Sequence, residues 1–252
     1  MNPKINILSI SRLRTYTDGD GITSLVISAG CPLRCAYCLN PNTWDGTLIP
    51  KSLTVDELYE ELKRDNIYFL STGGGVSFGG GEPLLQHEFI KEFIKKYRST
   101  KWKFYLETSL STDLESLKDV IDLIDYFYVD CKDMVKARYE LYTKGDYDLF
   151  LNNLTYLKDH IDGDKIKIRV PKIKELHKRF EFMESYEKLR SMGFENIQTV
   201  DYIDEVEKYK EISKIAIENR EDFLEKIKKY RLKWNSILGL CKNFKEKCKE
   251  II

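Results

Sequence analysis

Histidine and cysteine are scarce in this 252-residue chain, at three and six residues. His87, His160 and His177 fall singly in helical or loop patterns, so none is assigned to catalysis. Cys131, Cys241 and Cys248 stand alone, which leaves no second cysteine pair to complete paired zinc knuckles. No apolar run approaches the ~20 residues of a membrane-spanning helix. Lys+Arg and Asp+Glu balance at 41 each, so no basic excess asks for nucleic acid. Neither a membrane nor a nucleic acid is expected as a partner. There is no internal repeat, no low-complexity tract and no long Pro/Gly/Ser linker. One domain with an extension is the expected organisation. No signal peptide precedes the first cysteines, so a reducing cytoplasm is the expected compartment.

Against that scarcity, three cysteines are crowded together. Cys31, Cys35 and Cys38 lie in Cys31-Pro32-Leu33-Arg34-Cys35-Ala36-Tyr37-Cys38, a C-x3-C-x2-C spacing with an aromatic residue before the last thiol. Three thiolates can hold three irons of a four-iron cubane and leave the fourth iron open to a small molecule. The competing reading is a structural zinc site with a distant fourth ligand. A non-catalytic, metal-binding interaction protein is the rival of that kind, and iron and sulfide content would separate the two.

Short apolar, β-branched or aromatic runs alternate with helical patterns. The expected strands are Ser24–Ser28, Val76–Gly79, Lys103–Glu107, Tyr126–Asp130, Lys165–Val170 and Asn196–Asp201. Thr54–Glu57 reads as a capping box ahead of an apolar face of Val55, Leu58, Tyr59 and Leu62. Thr112–Glu115 reads as a second, ahead of Leu114, Leu117, Val120, Ile121 and Ile124. The alternation predicts a parallel α/β sheet, either doubly wound or curved into a partial barrel. Polar or glycine-rich groups follow most strand ends: the cysteines, Gly80-Gly81-Glu82, Glu107-Thr108, Asp130 with Lys132, and Arg169. Convergence from many strand ends favours the mouth of a partial (β/α)6 barrel. Cys131 alternates away from Asp130 and is expected to be a buried structural thiol.

Beyond the sheet, Phe223, Ile227, Tyr230, Trp234, Ile237, Cys241, Phe244, Cys248 and Ile251 repeat at alternating spacings of four and three, a heptad seam. Cys241 and Cys248 then lie about 10.5 Å apart along one helix, too far for a disulfide. The expected division is a barrel over 1–204 and a C-terminal helical extension over 205–252 packed on it.

Four motifs in order carry a resemblance running from Asn6 to about Val170. They are the cysteine motif with Tyr37, then Cys38-Leu39-Asn40-Pro41-Asn42-Thr43-Trp44, Asp18-Gly19-Asp20-Gly21-Ile22 upstream, and Gly73-Gly74-Gly75-Val76-Ser77-Phe78-Gly79-Gly80-Gly81-Glu82-Pro83 downstream. They resemble the C-H-N-x-x-T-W, D-G-P-G-I and G-G-G-V-T-x-S-G-G-E-P elements of the radical S-adenosylmethionine (SAM) enzymes. The subgroup is that of the compact glycyl-radical-enzyme activases, similar to pyruvate formate-lyase activase.

The resemblance implies a [4Fe–4S] cluster on Cys31, Cys35 and Cys38. It implies SAM bound by Gly80, Gly81, Glu82, Lys132 and Arg169, with Tyr37 beside the cluster and Glu82 accepting from the SAM ammonium. Glu107, Thr108 and Asp130 would help hold SAM and a monovalent cation. The Asp18, Gly19 and Gly21 loop would meet a glycine-bearing peptide of a partner glycyl radical enzyme, with Asp18 accepting its N–H bonds. Because the loop directly precedes the first strand, it is expected beside the cluster mouth. The implied reaction is anaerobic reductive cleavage of SAM to methionine and a 5'-deoxyadenosyl radical, fed by a flavodoxin or ferredoxin. The chain departs from the pattern at Asp20, Leu39, Gly79 and Glu107–Leu110, and it lacks a Pro-x-His element after the last strand. Those departures keep open a radical SAM enzyme acting on a peptide or small molecule.

Overall fold

The computed structural model describes residues 3–15, 17–173 and 181–201. By the grouping of its internal contacts the chain divides into Met1–Ile203 and Asp204–Ile252. The heptad seam and its two cysteines lie outside the described residues, as does His177.

The elements run β1 (Lys4–Thr15), β2 (Ile22–Ser28), β3 (Lys51–Thr54), α1 (Val55–Lys63), α2 (Asn66–Thr72), β4 (Gly75–Gly80), α3 (His87–Tyr97) and β5 (Lys103–Thr108). They continue α4 (Leu114–Lys118), β6 (Tyr126–Asp130), α5 (Lys136–Thr143), α6 (Tyr147–His160), β7 (Ile166–Lys172), α7 (Glu181–Ser191) and β8 (Ile197–Asp201). The strands form one open eight-stranded sheet in the order β3-β1-β2-β4-β5-β6-β7-β8. From β2 to β8 every neighbouring pair is parallel, and these six strands are the six read from the sequence. Strands β1 and β3 were not expected; β1 runs antiparallel to both β2 and β3 and extends the sheet at its first edge.

The two faces of the sheet differ in chemistry. Val26, Val76, Phe78, Phe104, Leu106, Phe127, Val129, Ile166 and Ile168 belong to one buried core with Leu58 and Leu62 of α1, Phe89, Ile90 and Phe93 of α3, and Leu154 of α6. Full burial of each such side chain stabilises the fold by about 1.5–3 kcal/mol. The alternate positions make the inner face: Leu25, Ser77, Gly79, Tyr105, Glu107, Tyr128, Asp130 and Arg169, in matching register. Helix α1 starts at the expected capping box, with Thr54 and Glu57 bonded reciprocally. Helix α4 corrects its expectation. Asp113 caps it by accepting from Ser116 N, and Thr112 instead accepts from the Ser116 hydroxyl at 2.8 Å. Cys131 is fully buried in the apolar core, as its alternation predicts. No helix among the described residues is long and apolar enough to cross a membrane.

Candidate functional site

The cysteine loop leaves the C-terminal end of β2 and is tied to its surroundings by backbone bonds. Gly30 N donates to Thr43 O at 2.7 Å, Arg34 N to Thr143 O at 2.7 Å and Ala36 N to Tyr142 O at 2.8 Å. Buried Leu33 anchors it, and the Arg34 guanidinium covers the Trp44 ring at 4.7 Å. Buried Tyr37 donates its hydroxyl to Lys132 O at 3.4 Å, which joins the loop to the end of β6.

Cys31, Cys35 and Cys38 are all free thiols of intermediate exposure. Burial pushes the Cys31 thiol up to about 12, reinforced by Glu82, and the Cys35 thiol up to about 11, against the pull of Lys132. Metal binding there displaces protons. Among the described residues no three Cys, His, Asp or Glu side chains converge on a single-ion site. A cubane asks for something else, since each thiolate binds a different iron. Three half-buried thiols on one short, anchored loop fit that demand.

The glycine loop after β4 packs on the base of the cysteine loop. Gly81 N donates to Ser28 O at 3.1 Å and Glu82 N to Gly30 O at 2.8 Å. Gly80 has φ +89°, and a Cβ there would lie 2.6 Å from Ile27 Cγ2, so only glycine fits. Glu82 is fully buried. Its Oε1 accepts from Thr108 Oγ1 at 2.7 Å and Leu84 N at 3.2 Å, and its Oε2 accepts from Ser109 N at 2.8 Å and Ser109 Oγ at 2.6 Å. Burial pushes the carboxyl up, opposed by the bonds from Ser109 and Thr108. The lone pairs expected to meet the SAM ammonium are therefore engaged inside the protein.

On the inner face, the ends of β5 and β6 and the middle of β7 bring together Glu107, Asp130, Lys132 and Arg169. Arg169 Nε donates to Asp130 Oδ1 at 2.7 Å, and Arg169 Nη2 lies 3.1 Å from Glu107 Oε2. Lys132 Nζ lies 3.3 Å from Asp130 Oδ2. Burial pushes the Asp130 carboxyl up, but Arg169 and Lys132 together hold it below its usual value. Glu107 is raised, because burial and the neighbouring Asp18 and Asp130 outweigh Arg169. Thr108 alternates away from this cluster, toward Glu82.

The Asp18–Gly21 loop differs from expectation in position and in contacts. It joins the end of β1 to the start of β2, at the opposite end of β2 from the cysteine loop. Asp18 is fully buried, with Arg14 Nε donating to its Oδ1 at 2.8 Å and Oδ2 at 2.6 Å and the Thr17 and Thr23 hydroxyls also bonded. Its oxygens hold Arg14, so they do not await a docked backbone. A Cβ on Gly19 would lie 2.5 Å from Tyr105 Cζ; one on Gly21, at φ +71°, would lie 2.5 Å from Thr72 O. The glycines make room for the protein itself. Tyr105, fully buried with its hydroxyl donating to Asp20 O at 3.1 Å, and Arg14 are inner residues that the sequence reading missed. The strict alternation of β5 could have flagged Tyr105. His87 pairs with Asp119 at 2.8 Å and His160 bonds Tyr156 O at 2.8 Å, both on helices outside the cluster.

Residues 25–176 match the family described as the Radical SAM superfamily. The chain belongs to that superfamily and is a radical SAM enzyme, and the family uses a [4Fe–4S] cluster and SAM. Its relatives narrow the class to homologues of glycyl-radical-enzyme activating enzymes. The 4-hydroxyphenylacetate decarboxylase activating enzyme of Clostridioides difficile (strain 630) is 28% identical over 217 residues, covering 62% of this chain and 68% of that protein. The pyruvate formate-lyase-activating enzyme of Clostridium pasteurianum is 50% identical over 78 residues, 31% of this chain and 32% of that one. Among solved structures, Streptococcus suis SuiB bound to S-adenosylmethionine superposes with a TM-score of 0.55 at 13% identity, covering 72% of this chain and 40% of that one. The chain thus spans well under half the length of SuiB, and that likeness concerns the fold.

Proposed function

We propose that this protein is a glycyl-radical-enzyme activase that cleaves SAM and removes a hydrogen atom from a backbone glycine of a partner enzyme. The observation that carries the reading is the join between cysteine loop and inner face. Tyr37 bonds the backbone of Lys132 at 3.4 Å while the Lys132 ammonium sits 3.3 Å from Asp130. A cluster on Cys31, Cys35 and Cys38 would therefore border the charged strand ends. When bound, the cluster supplies an electron to SAM, whose sulfonium breaks to methionine and a 5'-deoxyadenosyl radical. The chain's residues bind and orient. Lys132 and Arg169 offer positive charge toward the methionyl carboxylate and ribose, Asp130 holds both of them in place, and Glu107 Oε1 is the carboxylate oxygen left to accept. Tyr105 and the Asp18–Gly21 loop close the inner face at the far end and exclude water. A flavodoxin or ferredoxin is the proposed electron donor, in an anaerobic cytoplasm, and residues 205–252 are the proposed helical extension.

A peptide or small-molecule substrate is the second reading. It is favoured by the internal engagement of Asp18, which removes the acceptor expected for a glycine-bearing backbone. The test pairs two assays on anaerobically reconstituted protein: release of 5'-deoxyadenosine, and glycyl radical by electron paramagnetic resonance with a candidate partner from a neighbouring gene. Both signals are the expected result. Normal SAM cleavage with no radical on any candidate glycine would favour the second reading.

A further inference from the structure

Glu107, Thr108 and Asp130 are the positions where the resemblance implies a monovalent cation, and their arrangement does not suit one. Thr108 faces the other side of β5, where its hydroxyl donates to Glu82 at 2.7 Å and accepts from Leu110 N at 2.9 Å. Both Asp130 oxygens are engaged, by Arg169 at 2.7 Å and Lys132 at 3.3 Å. Glu107 Oε2 faces Arg169 at 3.1 Å. Among the described residues only Glu107 Oε1 remains buried and unpartnered in this cluster. A hard cation stripped of water needs several oxygens to replace its shell, and one is too few. Charge argues the same way. The two carboxylates are balanced by the guanidinium and the ammonium, so no carboxylate charge of this cluster remains to balance a metal ion.

We infer that Arg169 is the enzyme's built-in counterion. Its guanidinium bridges Glu107 and Asp130 in place of a metal ion, and SAM binding needs neither Na+ nor K+. Arginine suits this work because its planar fork presents several N–H donors in fixed directions and keeps its charge when buried. Here Nε serves the end of β6 and Nη2 the end of β5 from the middle of β7, so one side chain ties three neighbouring strands together.

The inference rests on the reading of this cluster as the SAM site. The test measures SAM binding to the cluster-loaded enzyme in KCl, NaCl and choline chloride at equal ionic strength. The readouts are titration calorimetry and the change SAM causes in the resonance spectrum of the reduced cluster. For the wild-type protein the dissociation constants should agree within about threefold across the three salts. Arg169→Met, which keeps the apolar bulk and removes the charge, should weaken SAM binding at least about tenfold in choline and regain part of it in KCl. Wild-type affinity about tenfold weaker in choline than in both metal salts would overturn the inference while leaving the site reading intact. So would an Arg169→Met enzyme that binds SAM like the wild type in every salt. Absence of SAM binding in all three salts, with the cluster present, would overturn the site reading and the inference with it. The wild-type series stands alone if the variant does not fold.

Discussion

Replacing Glu82 with glutamine tests whether its carboxylate is a clamp or a ligand. Of the four bonds it accepts, three join the glycine loop after β4 to the end of β5 and the fourth, from Leu84 N, is local, with two donors on each oxygen. Glutamine keeps an acceptor for Thr108 and Leu84 but turns an amide NH2 toward Ser109. The Ser109 hydroxyl can rotate and accept, but its backbone N–H cannot, so one buried donor loses its partner at about 1–3 kcal/mol. The two surviving bonds lose their charge assistance, about 1 kcal/mol each. Relief from burying a carboxylate offsets part of this, in keeping with the upward push that burial gives the group. The expected net destabilisation is about 2–4 kcal/mol.

The assay is urea unfolding of the cluster-free protein followed by tryptophan fluorescence, since Trp102 is buried beside Tyr59 and Phe69. Thr108→Val alone and combined with Glu82→Gln completes a cycle, and a coupling near 1 kcal/mol is expected. A change below about 0.5 kcal/mol in a normally folded Glu82→Gln protein would refute the clamp. In that case a sharp loss of SAM affinity would restore Glu82 as a ligand.

Two further outcomes follow from the same geometry. Anaerobically reconstituted wild-type protein should carry about four irons per chain with matching sulfide, and Cys31→Ala, Cys35→Ala and Cys38→Ala should each abolish the cluster; stoichiometric zinc without sulfide would sink the reading. Gly19→Ala should lower stability by about 1–3 kcal/mol through its clash with Tyr105, and Tyr105→Ala should make that second loss smaller in a thermal unfolding cycle; additive losses would show that the loop does not rest on the ring.

What the sequence made legible follows the range of each signal. Six strands could be read because each is short, β-branched or aromatic, and bounded by turn residues. Strand β1 escaped because Ser9, Ser11, Arg12 and Arg14 break its apolar run, and beyond Ile7 it pairs antiparallel with β2 alone, where half-exposed polar residues are tolerated. Strand β3 has four residues and exists through its pairing with β1, across more than forty positions of chain. The second capping box failed because Thr112 and Asp113 both offer a cap, and the S/T-x-x-E spacing does not reveal which backbone amide each oxygen meets. The cysteine motif could be read because its three thiols sit within one short run. The Arg14–Asp18 pair was hidden because a buried carboxylate with an internal partner and one awaiting a docked peptide are spelled alike.

The β6–α5 connection links the cysteine loop to the inner-face charges. Its first residues carry Asp130 and Lys132, whose side chains belong to the inner-face charges, while Lys132 O receives the Tyr37 hydroxyl of the cysteine loop. The next residue, Asp133, accepts from Arg138 Nε at 2.7 Å, and Arg138 also reaches Glu184 at 2.8 Å and Glu181 O at 3.1 Å. Met134 N donates to Ser185 Oγ at 2.9 Å, so the connection is tied to α7 as well. A buried ion pair of this kind contributes little net stability against an apolar substitute, but losing one partner leaves a costly unpaired charge, and that makes its geometry stiff. The end of α5, the helix that Arg138 ties down near its start, receives the backbone N–H groups of Arg34 and Ala36. The connection thus holds the cysteine loop from two sides and presents Lys132 and Asp130 to the inner face. The position of the cysteine loop relative to the inner-face charges is therefore fixed by α5 and α7, whose own residues lie outside the motifs read from the sequence.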